Sequence, residues 1–235
     1  MKLSVLIPTY NEHRTIREIV QRIMAQEVPG INEMEIIIVD DGSTDGSDAI
    51  IKELAKTHPN IIHPFIMEKN QGKGNAIRTA IQKASGDIAI IQDADLEYDP
   101  SDYTVVLRPI LDGEADVVYG SRFAERDQRR VLYFRHSIAN RFLTFVSNWF
   151  TDLNLTDMET CYKAFRLQVV KTIPIRSNRF GIEPELTAKF AKRKLRIFEV
   201  PISYYGRTYA EGKKVTWKDG FRALRTILKY WVIDD

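Results

Sequence analysis

The first half of the chain alternates short apolar runs with longer stretches in which apolar residues recur every three or four positions. The short runs predict strands and the longer stretches predict helices. The predicted strands are Leu3–Ile7, Glu35–Val39, Ile61–Met67, Ile88–Gln92 and Asp116–Tyr119. The predicted helices between them cover roughly residues 12–27, 44–57, 73–84 and 101–112. This alternation is typical of βαβ units with right-handed crossovers, and it predicts an α/β fold with a mainly parallel central sheet flanked by helices.

The second half has a less regular pattern, with strands predicted at Cys161–Phe165 and Ile197–Tyr204 and a helix at 181–193. Residues 137–153 predict a further helix whose aromatic residues would more often pack in a core. In the last predicted helix, about 218–232, two opposite faces carry apolar residues (Phe221, Leu224, Leu228, Trp231) and basic ones (Arg222, Arg225, Lys229). Such a helix suits a membrane interface, although amphipathic helices usually cover cores. No linker or repeat divides the chain, so a single domain over residues 1–235 is expected.

The net charge of +2 conceals a strong asymmetry between the two halves of the chain. Residues 1–121 hold 11 Lys and Arg against 20 Asp and Glu, whereas residues 122–235 hold 23 against 12. This division suits a site with a metal on one side and phosphates on the other. Nucleic acid is not an expected partner, because the basic residues are spread among apolar ones and no nucleic-acid motif is present.

Cysteine usage and hydropathy indicate a cytoplasmic protein. A single cysteine, Cys161, allows no intrachain disulfide and fits a reducing compartment. We expect it to be a small buried apolar residue. No run of 18 apolar residues occurs, so we expect at most peripheral contact with the inner face of the membrane.

Clusters of polar residues follow four of the predicted strands. They run from Pro8 to Glu12, from Asp40 to Gly46, from Asp93 to Glu97 and from Gly120 to Arg122. Each cluster alone would suit a turn. Because the carboxyl ends of parallel strands meet at one sheet edge, where open α/β sheets bind their ligands, the four together predict a binding site.

The chemistry of these clusters indicates a phosphate-bearing ligand. Asp93 and Asp95, one residue apart at a strand end, suit a divalent cation held together with a phosphate. Arg122 adds a planar donor fork for phosphate. Lys73, in Gly72-Lys73-Gly74, resembles a phosphate cradle, although the P-loop motif is absent. No GxGxxG follows the first strand, which argues against a dinucleotide oxidoreductase.

Seven segments in chain order carry a resemblance to a known family. They are VLIPTYNE, IIIVDDGSTDGS, NQGKGNAI, ASGDIAIIQDADLEYDP, GSRF, TDMETCYKAFR and EVPISYYGRTYAEGKK. In this order and spacing the chain resembles the family 2 glycosyltransferases of the GT-A fold, and among them the dolichyl-phosphate and polyprenyl-phosphate mannose and glucose synthases. The resemblance implies a metal-dependent, inverting enzyme that moves a hexose from a UDP- or GDP-sugar to a polyprenyl-phosphate-type lipid acceptor.

The resemblance also implies roles for individual residues. The nucleotide site would be lined by Pro8, Tyr10, Glu12, Val39 and Asp41, with Asp40 beside it. Asp93 and Asp95, with Glu97 as a further oxygen ligand, would hold Mg²⁺ or Mn²⁺ on the donor diphosphate, and Ala94 would back the donor. Arg122 and Arg135 would hold the acceptor phosphate, Arg207 would bind the diphosphate, and Lys213 or Lys214 would assist it.

Departures from the family pattern leave the acceptor open. Thr160-Cys161-Tyr162-Lys163 stands where many relatives have Ser-Gly-Phe-Arg, and polar residues fill 124–130 where relatives are rich in glycine. A saccharide hydroxyl therefore remains an alternative acceptor. It would need a carboxylate base, for which Asp157 and Glu159 are the first candidates unless they cap a turn.

Two further function classes stay open. A sugar-phosphate nucleotidyltransferase would need a loop rich in glycine and arginine after the first strand, and PTYNEH is not one. A non-catalytic lipid-binding relative would have no need of both aspartates and the arginines.

Overall fold

The computed structural model describes residues 1–125, 131, 133–207 and 217–233, and within them seven strands form one sheet. The strands are β1 (Lys2–Thr9), β2 (Glu33–Asp40), β3 (Ile62–Ile66), β4 (Ile88–Ile91), β5 (Val117–Ser121), β6 (Lys163–Arg166) and β7 (Ile197–Pro201). Their order across the sheet is β3-β2-β1-β4-β6-β5-β7. Since strands from both halves of the chain share this sheet, we propose that the chain is one domain.

The direction of β6 decides which loops meet at the site. β6 lies between β4 and β5 and pairs antiparallel with both, whereas every other pairing in the sheet is parallel. The start of β6 therefore lies at the same sheet edge as the ends of β4 and β5. The predicted α/β fold with a mainly parallel sheet is confirmed.

Eight α-helices occur in the described residues. They are α1 (Ile16–Met24), α2 (Ser47–Thr57), α3 (Lys73–Lys83), α4 (Tyr103–Leu111), α5 (Phe134–Thr151), α6 (Leu167–Lys171), α7 (Ile182–Lys192) and α8 (Trp217–Val232). The predicted helices occur with shifted ends, and only α6 was not expected, because five residues are too few to show a helical period. The predicted strand ending at Tyr204 stops at Pro201, and Tyr204 forms an isolated bridge with Tyr98.

The core lies on both faces of the sheet because alternate residues of each strand point to opposite sides. In β1, Leu3, Val5 and Ile7 pack with α1, α2 and α4, whereas Leu6 packs with α3 and α7. Burial of each such aliphatic side chain contributes about 1.5–3 kcal/mol. The central strands are thereby fixed, and the loops at their carboxyl ends are held on a rigid base.

Helix α5 contradicts the expectation that its aromatic residues belong to the core. Its fully buried side chains are the small polar Thr144 and Ser147. Phe142 and Trp149 are 56% and 76% exposed, and Phe145 is also exposed. The helix turns Thr144 and Ser147 inward together with the partly buried Leu143, Val146 and Phe150, and it leaves Phe142, Phe145 and Trp149 at the surface.

Helix α8 likewise exposes most of the face that the sequence marked as apolar. Ala223, Ile227 and Tyr230 are buried instead. The rings of Trp231 and Phe150 pack with centroids 4.9 Å apart, so the exposed residues of the two helices adjoin. We call these residues the α5–α8 apolar surface: Phe134, Ile138, Phe142, Phe145 and Trp149 with Phe221, Leu228, Trp231 and Val232. Of the described helices, none has the length and hydropathy needed to cross a membrane.

Candidate active site

A single large cleft of about 1230 Å³ opens at the carboxyl edge of the sheet among the residues that the structure describes. The loops after β1, β2, β4 and β5 line one wall, and α5, α7 and α8 line the other. The polar clusters that follow these four strands therefore meet at one edge of the sheet, as the sequence predicts. The cleft has a first end around Tyr10 and Asp41, an acidic centre at Asp93 and Asp95, and a mouth between α5 and α8.

At the first end of the cleft, Pro8, Tyr10, Glu12 and Asp41 are lining residues, as the sequence predicts. The Asp41 carboxylate accepts hydrogen bonds from the backbone N–H groups of Gln71 (2.8 Å) and Gly72 (2.7 Å). Asp41 therefore fixes the turn that precedes α3 in addition to facing the cleft.

Two residues predicted at this end do not face the cleft. Val39 is fully buried in the core beside α3, because the alternation of β2 directs it away from the edge. Asp40 is also fully buried and accepts hydrogen bonds from the backbone and hydroxyl of Ser43. Asp40 closes the turn after β2. Neither Val39 nor Asp40 lines the cleft in the described structure, and their part in a nucleotide site stays a prediction.

The acidic pair after β4 forms the centre of the cleft. Asp93 lies 2.7 Å from the Lys73 ammonium group. Burial, and then the charges of Asp93 and Glu97, raise the pKa of Asp95 to about 7. Such concentrated negative charge among oxygen ligands fits a hard divalent cation. No three Cys, His, Asp or Glu side chains in the described residues form a metal-binding group, so a cation would need further ligands from the substrate.

Glu97 and Arg207 form a network beside the acidic pair. The Glu97 carboxylate accepts hydrogen bonds from the Tyr204 hydroxyl and the Arg207 backbone N–H, both at 2.6 Å. The Arg207 guanidinium donates to Glu12 (3.0 Å) and to the Asp95 carbonyl (2.6 Å). The fold thus brings Arg207 beside Asp95 although 112 residues separate them, and its binding of a diphosphate stays a prediction. That Glu97 is a metal ligand stays a prediction.

The start of α3 sits unusually close to the loop before α7. A Cβ atom on Gly72 would lie 2.2 Å from the Asn178 carbonyl, and one on Gly74 would lie 2.2 Å from the Ser177 carbonyl. Only glycine permits this approach. It places Lys73 between the two walls of the cleft, where its ammonium contacts Asp93 and the Cys161 sulfur (2.8 Å).

Lys73 stays charged although it is largely buried. Burial alone would lower its pKa, but the charges of Asp93 and Glu183 hold the pKa well above its usual range. Its predicted contact with a substrate phosphate stays a prediction.

After β5, Arg122 is held by a carboxylate, and its predicted contact with an acceptor phosphate stays a prediction. Its Nε and Nη2 donate to Asp157 at 2.6 and 2.7 Å, and Nη2 also donates to Asn140 at 3.2 Å. The Tyr204 ring lies 5.1 Å from the guanidinium carbon. Asp157 is fully buried, so its role is to orient Arg122 rather than to accept a substrate proton.

The remaining predicted basic residues are Arg135, for the acceptor phosphate, and Lys213 or Lys214, for the diphosphate. Arg135 is exposed on the first turn of α5 and lines the mouth of the cleft. Lys213 and Lys214 lie outside the described residues, as do residues 126–130 of the polar segment.

Sequence reasoning named Glu159 as a candidate base but missed Glu183, which lies with it on the second wall of the cleft. Glu159, Cys161 and Glu183 all line the cleft, and Cys161 is half-buried there rather than a core residue. One oxygen of Glu159 and one of Glu183 are buried without a hydrogen-bond partner. Burial, and then the charge of Glu183, raise the pKa of Glu159 to about 8. Nothing in the sequence distinguishes Glu183 from Glu185 on the same helix, because only tertiary packing directs it into the cleft.

Comparisons with known proteins agree with this geometry. The family model described as "Glycosyl transferase family 2" matches residues 4–173. An undecaprenyl-phosphate 4-deoxy-4-formamido-L-arabinose transferase of Edwardsiella ictaluri is 29% identical over 211 residues, which cover 90% of this chain and 62% of the relative. The chain thus spans less than two thirds of that relative's length.

A second relative matches over nearly its full length. A UDP-N-acetylglucosamine–dolichyl-phosphate N-acetylglucosaminyltransferase of Methanococcus voltae is 28% identical over 242 residues, covering 96% of this chain and 94% of the relative. Among solved structures, a glucosyl-3-phosphoglycerate synthase from Mycobacterium tuberculosis, in complex with Mn²⁺, UDP and phosphoglyceric acid, superposes with a TM-score of 0.75. It is 20% identical and covers 100% of this chain and 80% of that one, so it shows that the fold is GT-A.

Proposed function

This chain belongs to glycosyl transferase family 2, and we propose that it transfers a sugar from a nucleotide-sugar to a polyprenyl-phosphate-type lipid at a membrane surface. The observation that carries this proposal is the course of the cleft. One end has the carboxylates and tyrosine that suit a nucleotide, and the other opens beside Arg135 in the first half of α5, the helix that also carries the exposed Phe134, Ile138 and Phe142. A substrate with a charged phosphate head and a long apolar tail fits that second end.

The donor end supports a nucleoside diphosphate bound with Mg²⁺ or Mn²⁺. Asp95 and Asp93 would hold the cation, and the cation would supply positive charge to the departing diphosphate. Arg207, already directed at this place by Glu12 and the Asp95 carbonyl, would neutralise the same charge. We propose UDP as the nucleotide, because the M. voltae relative that spans the whole chain carries UDP in its name.

The acceptor end explains how the reaction would proceed without a strong base. A lipid phosphate is already ionised near neutral pH, so its oxygen can attack the anomeric carbon as the bond to the diphosphate breaks, with inversion. Arg135 at the mouth and Arg122, fixed by Asp157, would orient that phosphate. Asp157 would hold Arg122 charged, because burial lowers the pKa of Arg122 but the Asp157 charge raises it further.

The α5–α8 apolar surface supports work at a membrane interface. Its side chains are large and exposed, the rings of Phe145 and Trp149 lie 6.5 Å apart, and Phe150 packs on Trp231 across the two helices, whereas exposed apolar residues on monomers are usually scattered. The basic residues Arg222, Arg225 and Lys229 of α8 are exposed near it. Such a combination binds anionic lipid surfaces through apolar burial and charge together.

One observation favours a second acceptor class. Glu159 lines the cleft with an unpartnered buried oxygen, and its pKa of about 8 suits a group that takes a proton near neutral pH. A saccharide hydroxyl, unlike a lipid phosphate, needs such a base. In that case Glu159→Gln would abolish transfer, whereas with a phosphate acceptor it would have little effect on the chemical step.

The test is a panel of radiolabelled UDP- and GDP-sugars with Mn²⁺, incubated with and without undecaprenyl phosphate or dolichyl phosphate. We expect labelled glycolipid with a UDP-sugar and none with the Asp95→Asn variant. Product formed equally with a soluble saccharide acceptor, and none with either lipid phosphate, would contradict the lipid assignment.

A further inference from the structure

Glu183 lines the cleft and has a buried carboxylate oxygen that no group of the described structure satisfies. The residue lies on the first turn of α7 and is 4% exposed. Its Oε1 accepts a hydrogen bond from the Cys161 thiol at 3.4 Å and lies 4.0 Å from the Lys73 ammonium. Its Oε2 is buried with no hydrogen-bond partner. A buried hydrogen-bond acceptor without a donor costs free energy, so an unsatisfied carboxylate oxygen at this position needs an explanation.

Glu185, two residues along the same helix, shows what a structural glutamate looks like here. Its two oxygens accept hydrogen bonds from the backbone N–H groups of Arg176 (2.7 Å) and Ser177 (2.6 Å), and Oε1 also accepts one from Lys189 (2.8 Å). Glu185 is fully satisfied and does not line the cleft. On α7, both carboxylate oxygens of Glu185 therefore accept hydrogen bonds within the fold, whereas one oxygen of Glu183 accepts none in the described structure.

The position of Glu183 identifies the ligand group that this oxygen would meet. Lys73 lies between Asp93 of the acidic centre and Glu183, so Glu183 is one side chain beyond the place proposed for the diphosphate. In a nucleotide-sugar, the group attached beyond the diphosphate is the sugar. A sugar hydroxyl is a neutral hydrogen-bond donor, which is what an unsatisfied carboxylate oxygen accepts.

We propose that Glu183 binds a hydroxyl group of the transferred sugar through Oε2 and thereby determines which donor sugars the enzyme accepts. This inference rests on the proposed function, because it presumes a nucleotide-sugar in the cleft. It assigns the sugar contact to α7, on the opposite wall from the acidic pair, and it favours neutral hydroxylated sugars. A hexuronate would bring a third carboxylate beside Glu183 and Glu159 and would be disfavoured.

The experiment compares the affinity of UDP with that of UDP-sugars in the presence of Mn²⁺, by calorimetry on the full chain. The probes are UDP, UDP-glucose, UDP-galactose, UDP-N-acetylglucosamine and UDP-glucuronate. In Glu183→Gln, we expect UDP to bind within about twofold of the wild-type affinity, and the preferred neutral UDP-sugar to lose roughly ten- to hundredfold, as for other hydrogen bonds to charged groups. The matched control, Glu185→Gln, should lower the melting temperature and leave the ratio of UDP-sugar to UDP affinity unchanged.

The two proposals fail in different ways in this experiment. If the wild-type protein binds neither UDP nor GDP with Mn²⁺ or Mg²⁺, the proposed function is overturned and this inference with it. If UDP binds but the advantage of the sugar is the same in wild type and Glu183→Gln, only the role of Glu183 is overturned. A parallel loss of UDP affinity would show that Glu183 acts through Lys73 and Asp93, which also overturns the direct contact.

A second measurement needs no variant and covers the case in which Glu183→Gln fails to fold. Deoxy analogues of the preferred UDP-sugar, each lacking one hydroxyl, are titrated against the wild-type protein. We expect one analogue to lose at least tenfold in affinity, because it leaves the buried oxygen unsatisfied. Equal affinity for all analogues would overturn the proposal.

Discussion

The Arg122 guanidinium donates two hydrogen bonds to Asp157, at 2.6 and 2.7 Å, and the Arg122 backbone N–H donates a third to the same carboxylate at 3.1 Å. Asp157 is fully buried, so the pair is shielded from water. The arrangement fixes both the charge and the direction of Arg122. Two residues that the sequence suggests as independent site groups thus act as one unit.

Asp157→Asn should reduce the free energy of unfolding by roughly 2–4 kcal/mol, because it leaves the Arg122 charge buried without its partner. Urea denaturation at neutral pH measures this. The double variant Arg122→Gln with Asp157→Asn should recover part of the loss, since contacting charges are not additive. Strict additivity would contradict the coupling.

Arg135→Ala should weaken the lipid-phosphate acceptor about tenfold in KM and leave the donor KM unchanged, because losing one charge-assisted hydrogen bond costs roughly 1.5 kcal/mol. Arg135 is exposed at the mouth, so its removal should not alter stability. Arg141→Ala is the matched control, as Arg141 is exposed on the same helix and stacks on Phe123. A raised donor KM would instead place Arg135 on the diphosphate.

Asp93→Asn and Asp95→Asn should both abolish the rise in melting temperature that UDP and Mn²⁺ together produce. Without ligand, the two variants should differ in stability. Asp93→Asn removes the ion-pair partner of the largely buried Lys73 and should cost roughly 1–3 kcal/mol of stability, whereas Asp95 has no such role. Differential scanning fluorimetry with and without ligand separates the two effects, and an undiminished ligand-induced rise in both variants would exclude them as metal ligands.

Glu35 should make stability depend on pH in the acid range. Burial would raise its pKa, but the Lys2 ammonium and hydrogen bonds from Ser4 and Ser85 lower it to about 2. A carboxylate with a depressed folded-state pKa stabilises the fold above its unfolded value and loses that contribution as the pH falls toward 2. Glu35→Gln should therefore cost roughly 2–3 kcal/mol at pH 7 and much less at pH 2.5, as measured by urea denaturation. An equal cost at both pH values would refute the assignment.

Trp149→Ser and Phe142→Ser should each weaken binding to anionic vesicles by roughly five- to hundredfold, since each removes about 1–3 kcal/mol of apolar burial in the interface. Binding should also weaken with salt. Co-sedimentation in the presence of UDP-sugar and Mn²⁺ measures both effects. Val105→Ser, which changes an exposed apolar residue on α4, is the control and should bind like wild type. No binding of wild-type protein at low salt would reject the membrane proposal.

The sheet and most of the donor end could be predicted because their signals are local. The apolar runs of β1, β2 and β4 and the polar residues after them are adjacent in sequence. Strand ends in a parallel sheet meet by geometry, so Tyr10, Asp41 and Asp95 could be grouped before their positions were known.

The second wall could not be predicted because its residues converge only through tertiary packing. The antiparallel insertion of β6 brings Glu159 beside Arg122, and neither residue shows in its neighbours that this will happen. The buried face of α5 could not be predicted either, because its buried Thr144 and Ser147 are less apolar than its exposed Phe142 and Trp149. Leu143, Val146 and Phe150 also pack against the core, so hydropathy alone does not separate the buried apolar residues of α5 from the exposed ones.

The antiparallel course of β6 means that the chain leaves the sheet at Arg122 and returns to it just after Asp157, at the same edge. The excursion between these points includes α5, and the ion pair of Arg122 with Asp157 closes it at its base. The helix α5 is therefore an insertion between two neighbouring strands. Replacing it would change the residues that line the mouth of the cleft and would leave every strand pairing in place. If the mouth binds the acceptor, as we propose, grafting the corresponding segment from a relative that uses another acceptor should change acceptor specificity. The graft should keep the ion pair between Arg122 and Asp157.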